Sequence, residues 1–135
     1  MIEMTAFSQE PRQLRDAMVQ AATDVIDSHH YVLGPRVSAF EHAWSKMTGN
    51  PYTVGVASGL DGIEIALRAL GIGPGDEVIT TPMTAIATVL AVMRAGATPV
   101  LADIDPRTAL LDPLSVERCI NTRTRAILLV HLYGQ

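Results

Sequence analysis

The sequence contains few of the residues on which several classes of protein depend. Its single cysteine, Cys119, excludes a disulfide framework and a cysteine-rich zinc site. Lys46 is its single lysine, and the other basic residues are arginines that form no basic run. The formal net charge is -4. This charge argues against binding to nucleic acid or to an anionic membrane.

Long apolar runs and secretion signals are also missing. The longest apolar stretch, Ala85–Met93, is far shorter than the roughly 18 residues that span a bilayer. Met1–Phe7 lacks the charged and then apolar pattern of a signal peptide. We therefore expect a soluble, cytoplasmic protein. The chain has 135 residues, of which 48% are hydrophobic, so one domain with a substantial core is expected.

Residues 1–50 are predicted to form a helical arm. Apolar residues recur at helical spacing in Gln9–His30 and again in Pro35–Met47. Gly34 separates the two helices, Pro35 suits a first helical turn, and Gly49 ends the second helix.

From residue 51 onwards, short apolar strands alternate with helical patterns. The predicted strands are Tyr52–Ala57, Glu77–Thr81, Thr98–Ala102 and Arg125–His131. The predicted helices follow Ser58, cover Thr84–Ala95 and run from Asp112 to about Ile120. The second of them is apolar nearly all round, which predicts burial. Continuous apolar strands that alternate with helices are typical of a parallel sheet covered on both faces, so the predicted class is α/β.

The turn after the first predicted strand is the best candidate binding site. Ligands of parallel sheets bind beyond the carboxyl ends of the strands, where loops lead into helix N-termini. At such a turn the amides of Gly59, Leu60 and Asp61 would be free to bind an anion such as phosphate. The alternative is an ordinary strand-to-helix turn in which Ser58 caps the helix.

Other polar residues allow both a functional and a structural interpretation. Asp103 and Asp105 could form a carboxylate pair, but the following proline favours a solvated turn. His131 could be a general base or a structural histidine, and Cys119 is expected to be an inert thiol. The remaining histidines lie on predicted helices without ligand spacing, so no metal site is expected: His29, His30 and His42.

Several motifs in unbroken order carry a resemblance to one protein family. The sequence resembles the DegT/DnrJ/EryC1/StrS family of pyridoxal-phosphate (PLP) aminotransferases, which act mostly on nucleotide-linked keto sugars. The resemblance covers about residues 34–135. Its motifs are Val54–Asp61, Leu70–Ile79, Gly96–Val100 with Asp103, and Val130–Gln135.

The resemblance implies a fold, a cofactor and several site residues. The fold would be the large domain of the type I aminotransferase fold in a homodimer, here over residues 51–135. By position, Ser58 and the backbone of Gly59, Leu60 and Asp61 would bind the PLP phosphate. Ala85 occupies the position of an aromatic residue that commonly stacks on the cofactor ring. Gln135 lies where the family chain approaches the cofactor.

The resemblance also implies that part of the catalytic apparatus lies outside this sequence. The family's pyridinium-binding aspartate and Schiff-base lysine follow later in the chain, and PLP chemistry requires both. Lys46 lies upstream of the first strand, where a solvent-facing lysine is expected, so no catalytic residue is assigned. We interpret the chain as an N-terminal fragment that is inactive by itself. In the family fold, later strands separate the first strand from the fourth, so Tyr52–Ala57 would lack its neighbours and apolar strand surfaces would be exposed.

Three functions are consistent with these observations. The first is the N-terminal part of an aminotransferase that moves an amino group from glutamate or glutamine to a nucleotide-linked keto sugar. The second is a catalytically inactive binding or regulatory protein of the same fold. The third is a small independent α/β module that binds a phosphate ligand.

Overall fold

The computed structural model describes residues 9–134 and divides the chain into two compact units, Met1–Gly55 and Val56–Gln135. Gln135 and the segment Met1–Phe7 therefore lie outside the described residues. Within residues 9–134, no helix is long and apolar enough to cross a membrane.

The first unit contains the two predicted helices, α1 (Arg12–Ser28) and α2 (Pro35–Thr48). Pro35 occupies the first turn of α2, where its missing N–H costs no helical hydrogen bond. Gly49 ends α2 in the left-handed conformation at φ 74°, which glycine adopts without steric cost. Both helix predictions are confirmed to within a few residues. Neither helix contains a buried residue in this structure.

The prediction of a strand over Tyr52–Ala57 was wrong. Residues 52–57 pair with no strand among the described residues. In the first unit, side chains of α2 supply hydrogen bonds to this segment. The Gly55 amide donates to Glu41 Oε1 over 2.7 Å, and the hydroxyls of Ser45 and Thr53 lie 2.7 Å apart. A β-prone sequence becomes a strand only where a neighbouring backbone completes the ladder, and none is present here.

The second unit is a three-stranded parallel sheet flanked by helices, which confirms the predicted α/β class. Its strands lie in the order β2-β1-β3, and all pairs are parallel. A single helical turn at Leu132–Gly134 lies at the end of the described residues. In chain order the regular elements are α3 (Gly59–Ala69), β1 (Glu77–Thr80), α4 (Ile86–Arg94), β2 (Thr98–Leu101), α5 (Pro113–Cys119) and β3 (Thr124–Ile127).

Strand β1 lies at the centre of the sheet and of the core. Its four residues are all buried, and Val78 and Ile79 have no exposed surface. One core cluster joins β1 to the helices that cover it: Leu67, Ile72, Val78, Val92, Ala95 and Ala97, with Ile63, Ala126 and Leu128 packed against it. Burial of all four residues of β1, including the polar Glu77 and Thr80, shows that the strand is covered on both faces of the sheet.

Two further predictions needed correction. Helix α4 begins at Ile86 rather than Thr84, and it is not buried all round, because Ile86 and Met93 are more than half exposed. Strand β3 ends at Ile127, short of the predicted His131, and its register with β1 ends at the pair of Ile79 and Ile127. Leu129, beyond the end of β3, is 62% exposed.

Candidate anion-binding site

The turn that opens α3 has the geometry of a capped helix N-terminus. Ser58 is extended, with φ -157° and ψ 165°, and it occupies the N-cap position. Its hydroxyl accepts a hydrogen bond from the Asp61 amide over 3.2 Å and donates one to Asp61 Oδ2 over 2.7 Å. The Ser58 carbonyl accepts the first main-chain bond of the helix from Gly62, at 3.0 Å. The cap that the structural interpretation predicted is therefore present.

Two amides remain for a ligand after this cap has formed. Among the described residues, the N–H groups of Gly59 and Leu60 have no hydrogen-bond partner, whereas Ser58 occupies the N–H of Asp61. A Cβ built on Gly59 would meet no atom within 4 Å, so the backbone there is open to a close approach. The free donors and the helix dipole favour an anion at this turn. This donor set fits a phosphate group with two amides rather than the predicted three.

A carboxylate lies in the same first turn, and one arginine contacts it. Asp61 Oδ1 lies 3.5 Å from Nη1 of Arg94, at the end of α4. Nε of Arg94 lies 2.8 Å from Glu64 Oε2, and Nη2 of Arg68 lies 3.0 Å from Glu64 Oε1. Arg68 also donates a hydrogen bond to the Arg94 carbonyl. Two carboxylates of α3 and two guanidinium groups thus form a charge-balanced network where α3 meets α4.

An apolar groove of about 370 Å3 extends from the turn between α3 and β3. Gly59 lies at its border, and its walls include Ile63, Leu67, Ala126 and Leu128. The residues that line it carry no charge. The groove therefore supplies apolar surface but no anion ligand, and the donors for an anion are confined to the turn.

Ala85 lies in the N-cap position of α4, is exposed and offers no side-chain hydrogen bond. Hydroxyls order the loop before it. Thr81 Oγ1 accepts from the Met83 amide over 3.0 Å, and the hydroxyls of Thr84 and Thr88 lie 2.8 Å apart. Position 85 carries the methyl group of alanine and no aromatic side chain, so a cofactor ring placed against it would contact only that methyl group. The assignments of Ala85 and Gln135 to a cofactor site remain predictions.

The other polar candidates have structural positions. Asp103 accepts a hydrogen bond from the Ile104 amide, and Asp105 pairs with Arg107 at 2.9 Å. The hydrogen bonds and charge of Arg107 hold the pKa of Asp105 below its ordinary value. Residues 9–134 contain no group of three side chains suited to a metal ion.

Lys46 lies exposed in the last turn of α2, as expected. Cys119 ends α5 and is half-buried. His131 lies in the short segment between β3 and the turn at Leu132–Gly134. None of these three positions by itself indicates catalysis.

Sequence reasoning missed the contribution of Arg94. Its position at the end of α4 was visible in the sequence, but its contact with Asp61 depends on how α4 packs on α3. The sequence carried only a weak signal for it, namely an acidic residue in the first turn of a helix expected to bind an anion.

Comparison with known proteins adds independent information. The dTDP-3-amino-3,4,6-trideoxy-alpha-D-glucose transaminase of Streptomyces venezuelae is 47% identical over 133 residues, or 98% of this chain and 34% of that protein. The UDP-2-acetamido-2-deoxy-3-oxo-D-glucuronate aminotransferase of Pseudomonas aeruginosa is 42% identical over 135 residues, or 100% of this chain and 38% of that protein. Among solved structures, ntda from Bacillus subtilis with bound cofactor PMP matches with a TM-score of 0.87 at 33% identity, covering 98% of this chain and 33% of that one.

The chain thus spans about a third of the length of the curated relatives that it matches. The likeness to solved aminotransferase structures confirms the fold that the sequence motifs implied. Residues 12–135 match the DegT/DnrJ/EryC1/StrS aminotransferase family, and with these identities the match shows that the chain belongs to that family.

Proposed function

We propose that this chain is the cofactor-phosphate-binding part of a PLP-dependent aminotransferase. The observation that carries the proposal is the turn at Ser58, where the amides of Gly59 and Leu60 are uncommitted at the start of a helix. A phosphate ester suits these donors because its charge complements both the N–H groups and the helix dipole. The bound PMP named for the Bacillus subtilis relative supports the same cofactor.

The residues of this chain would bind and orient the cofactor rather than react with it. When bound, the cofactor supplies the electron sink that transamination requires. The Ser58 cap holds the first turn of α3 in place, so the amides of Gly59 and Leu60 point outwards without rearrangement. Pre-organised donors bind more tightly because little conformational entropy is lost on binding. Lys46, the single lysine, lies in the other unit, so we assign it no part in the reaction.

We infer that the amino acceptor is a nucleotide-linked keto sugar and that glutamate or glutamine is the donor. The names of the Streptomyces and Pseudomonas relatives, on dTDP- and UDP-linked sugars, support this substrate class. A homodimer is also part of the proposal, since the resemblance implies one. A catalytically inactive regulator is not favoured, because the Streptomyces and Pseudomonas relatives, which align with almost the whole chain, are named as a transaminase and an aminotransferase.

The phosphate site can be tested by NMR titration of the 15N-labelled chain. Pyridoxamine 5′-phosphate is the suitable probe, because its amine forms no Schiff base with lysine or with the N-terminus. Pyridoxamine, which has the same ring without the phosphate, is the matched control. We expect the amide signals of Gly59 and Leu60 to shift with the phosphorylated compound alone. Equal shifts with both compounds, or shifts that exclude this turn, would contradict the proposal.

The reaction class requires a second experiment on the complete gene product. We expect it to transfer the amino group of glutamate or glutamine to a dTDP- or UDP-linked keto sugar in the presence of PLP. Product formation is followed by mass spectrometry of the nucleotide sugar. Phosphate binding at the turn without any transamination would leave the regulatory alternative as the better explanation.

A further inference from the structure

The first turn of α3 presents an electrostatic conflict. Asp61 is the third residue of the helix and carries a carboxylate in the same turn as the free amides of Gly59 and Leu60. A carboxylate there is favoured by the helix dipole, but it repels any second anion that binds to the turn. A phosphate site at Ser58–Asp61 therefore needs a way to reduce the charge of Asp61.

The structure shows one cation in contact with Asp61. Within residues 9–134, Arg94 is the only basic side chain that forms an ion pair with Asp61, through Nη1 and Oδ1 at 3.5 Å. Asp61 Oδ2 accepts the Ser58 hydroxyl, so both carboxylate oxygens are engaged. The side chain of Asp61 is 30% exposed and that of Arg94 is 55% exposed, so solvent weakens this ion pair but does not separate the charges.

Glu64 provides an internal comparison. It contacts Arg94 at 2.8 Å, but it also contacts Arg68 at 3.0 Å. Loss of Arg94 would therefore leave Glu64 with a cation and would leave Asp61 with none among the described residues. Loss of Arg68 would remove the same charge from the protein and would keep the contact between Asp61 and Arg94.

We propose that Arg94 is a positioning residue that neutralises Asp61 and thereby allows the turn at Ser58 to bind a phosphate group. This inference rests on the proposed function, because it concerns the same site. Arg94 acts through Asp61 and not through a direct contact with the ligand. It links the end of α4 to the affinity of a turn at the start of α3.

The expected effect follows from the size of charge interactions at helix ends. A single charge there changes binding by up to about fivefold, and the repulsion is larger for a phosphate dianion. We expect Arg94→Gln to weaken binding of inorganic phosphate and of pyridoxamine 5′-phosphate by about five- to tenfold at low salt. Arg94→Lys should retain most of the affinity, and Arg68→Gln should change it by no more than about twofold.

The decisive variant is Asp61→Asn combined with Arg94→Gln. Asparagine keeps an oxygen that can accept the Ser58 hydroxyl and removes the charge that Arg94 balances. If Arg94 acts through Asp61, the double variant recovers the affinity of the unaltered chain. A residue that merely supports packing between α3 and α4 would not allow this recovery, because the packing contact stays lost.

The experiment titrates the 15N-labelled chain and each variant with inorganic phosphate and follows the Gly59 and Leu60 amides. No shift in the unaltered chain would overturn the proposed function itself. Binding to the unaltered chain with equal affinity for Arg94→Gln and Arg68→Gln would overturn only the role of Arg94. Failure of the double variant to recover would also overturn it. If Arg94→Gln does not fold, the phosphate affinity of Asp61→Asn is compared with that of the double variant. Without the charge of Asp61, loss of Arg94 should change the affinity by no more than about twofold, and a larger change would overturn the role of Arg94.

Discussion

Replacing Gly59 by alanine should raise stability and lower phosphate affinity. Gly59 is the first residue of α3, its φ lies outside the left-handed region, and a Cβ there would meet no atom within 4 Å. Alanine therefore fits the folded backbone and reduces the conformational freedom of the unfolded chain. We expect Gly59→Ala to increase the free energy of unfolding by about 0.5 kcal/mol.

The effect of the same methyl group on ligand binding has the opposite sign. We expect an anion to approach the amides of Gly59 and Leu60 through the open space at Gly59. A methyl group in that space lengthens or removes at least one charge-assisted hydrogen bond. Such a bond contributes about 1.5 kcal/mol or more, so affinity for pyridoxamine 5′-phosphate should fall at least about tenfold.

Gly62 provides the matched control, since it lies one position beyond the capped amide of Asp61 in the same helix. A Cβ on Gly62 would make an ordinary contact with Val56 at 3.5 Å. Gly62→Ala should stabilise the helix by about 1 kcal/mol, with unchanged affinity. Urea unfolding followed by circular dichroism gives the stability, and amide NMR titration gives the affinity. If Gly59→Ala binds phosphate as tightly as Gly62→Ala does, the ligand does not approach at Gly59 and the reasoning is refuted.

Two further predictions concern the core of the second unit. A hydrogen bond from Asn121 and the charge of Arg123 lower the pKa of Glu77, which is buried at the start of β1. Its contribution to stability is therefore present above its ordinary pKa of 4.5 and is lost as pH falls through the lower pKa of the folded state. Glu77→Gln should flatten the loss of stability below about pH 4.5 in acid titrations of unfolding, and an unchanged slope would exclude Glu77 as its source. Ile79 is fully buried in the central strand. Ile79→Ala should lower the free energy of unfolding by about 2–5 kcal/mol and Ile79→Val by about 1 kcal/mol, as measured by urea unfolding. A similar small loss for both variants would contradict close packing at this position.

The hydrophobic pattern was sufficient to predict most of the fold. Strands of a parallel sheet were predicted at Glu77–Thr81 and Thr98–Ala102, and the structure confirms both, each one residue shorter at its end. The ends of helices could be predicted where residues within the first or last turn determine them. Pro35 begins α2, and Asp112 caps α5 by accepting hydrogen bonds from two amides of its first turn. These signals act within a few residues, so they need no tertiary information.

The strand prediction for Tyr52–Ala57 failed because strand pairing does depend on tertiary information. Its β-branched residues favour an extended backbone, but a ladder needs a partner strand. The same limit applies to β3, whose predicted end at His131 was too late because pairing with β1 stops at Ile127. The β-propensity of a segment depends on its own residues, whereas a strand also requires a second segment with which to pair.

The sequence by itself determined the family, the α/β class and the position of the turn at Ser58, because local patterns and motif order encode them. The Ser58 cap, which occupies the Asp61 amide, is local as well, and the sequence offered it as one of two interpretations of the turn. Only the tertiary structure decided which cation balances Asp61, because the packing of α4 on α3 brings Arg94 to its carboxylate. That contact depends on the distance between two elements far apart in the chain, and no local pattern of residues specifies that distance.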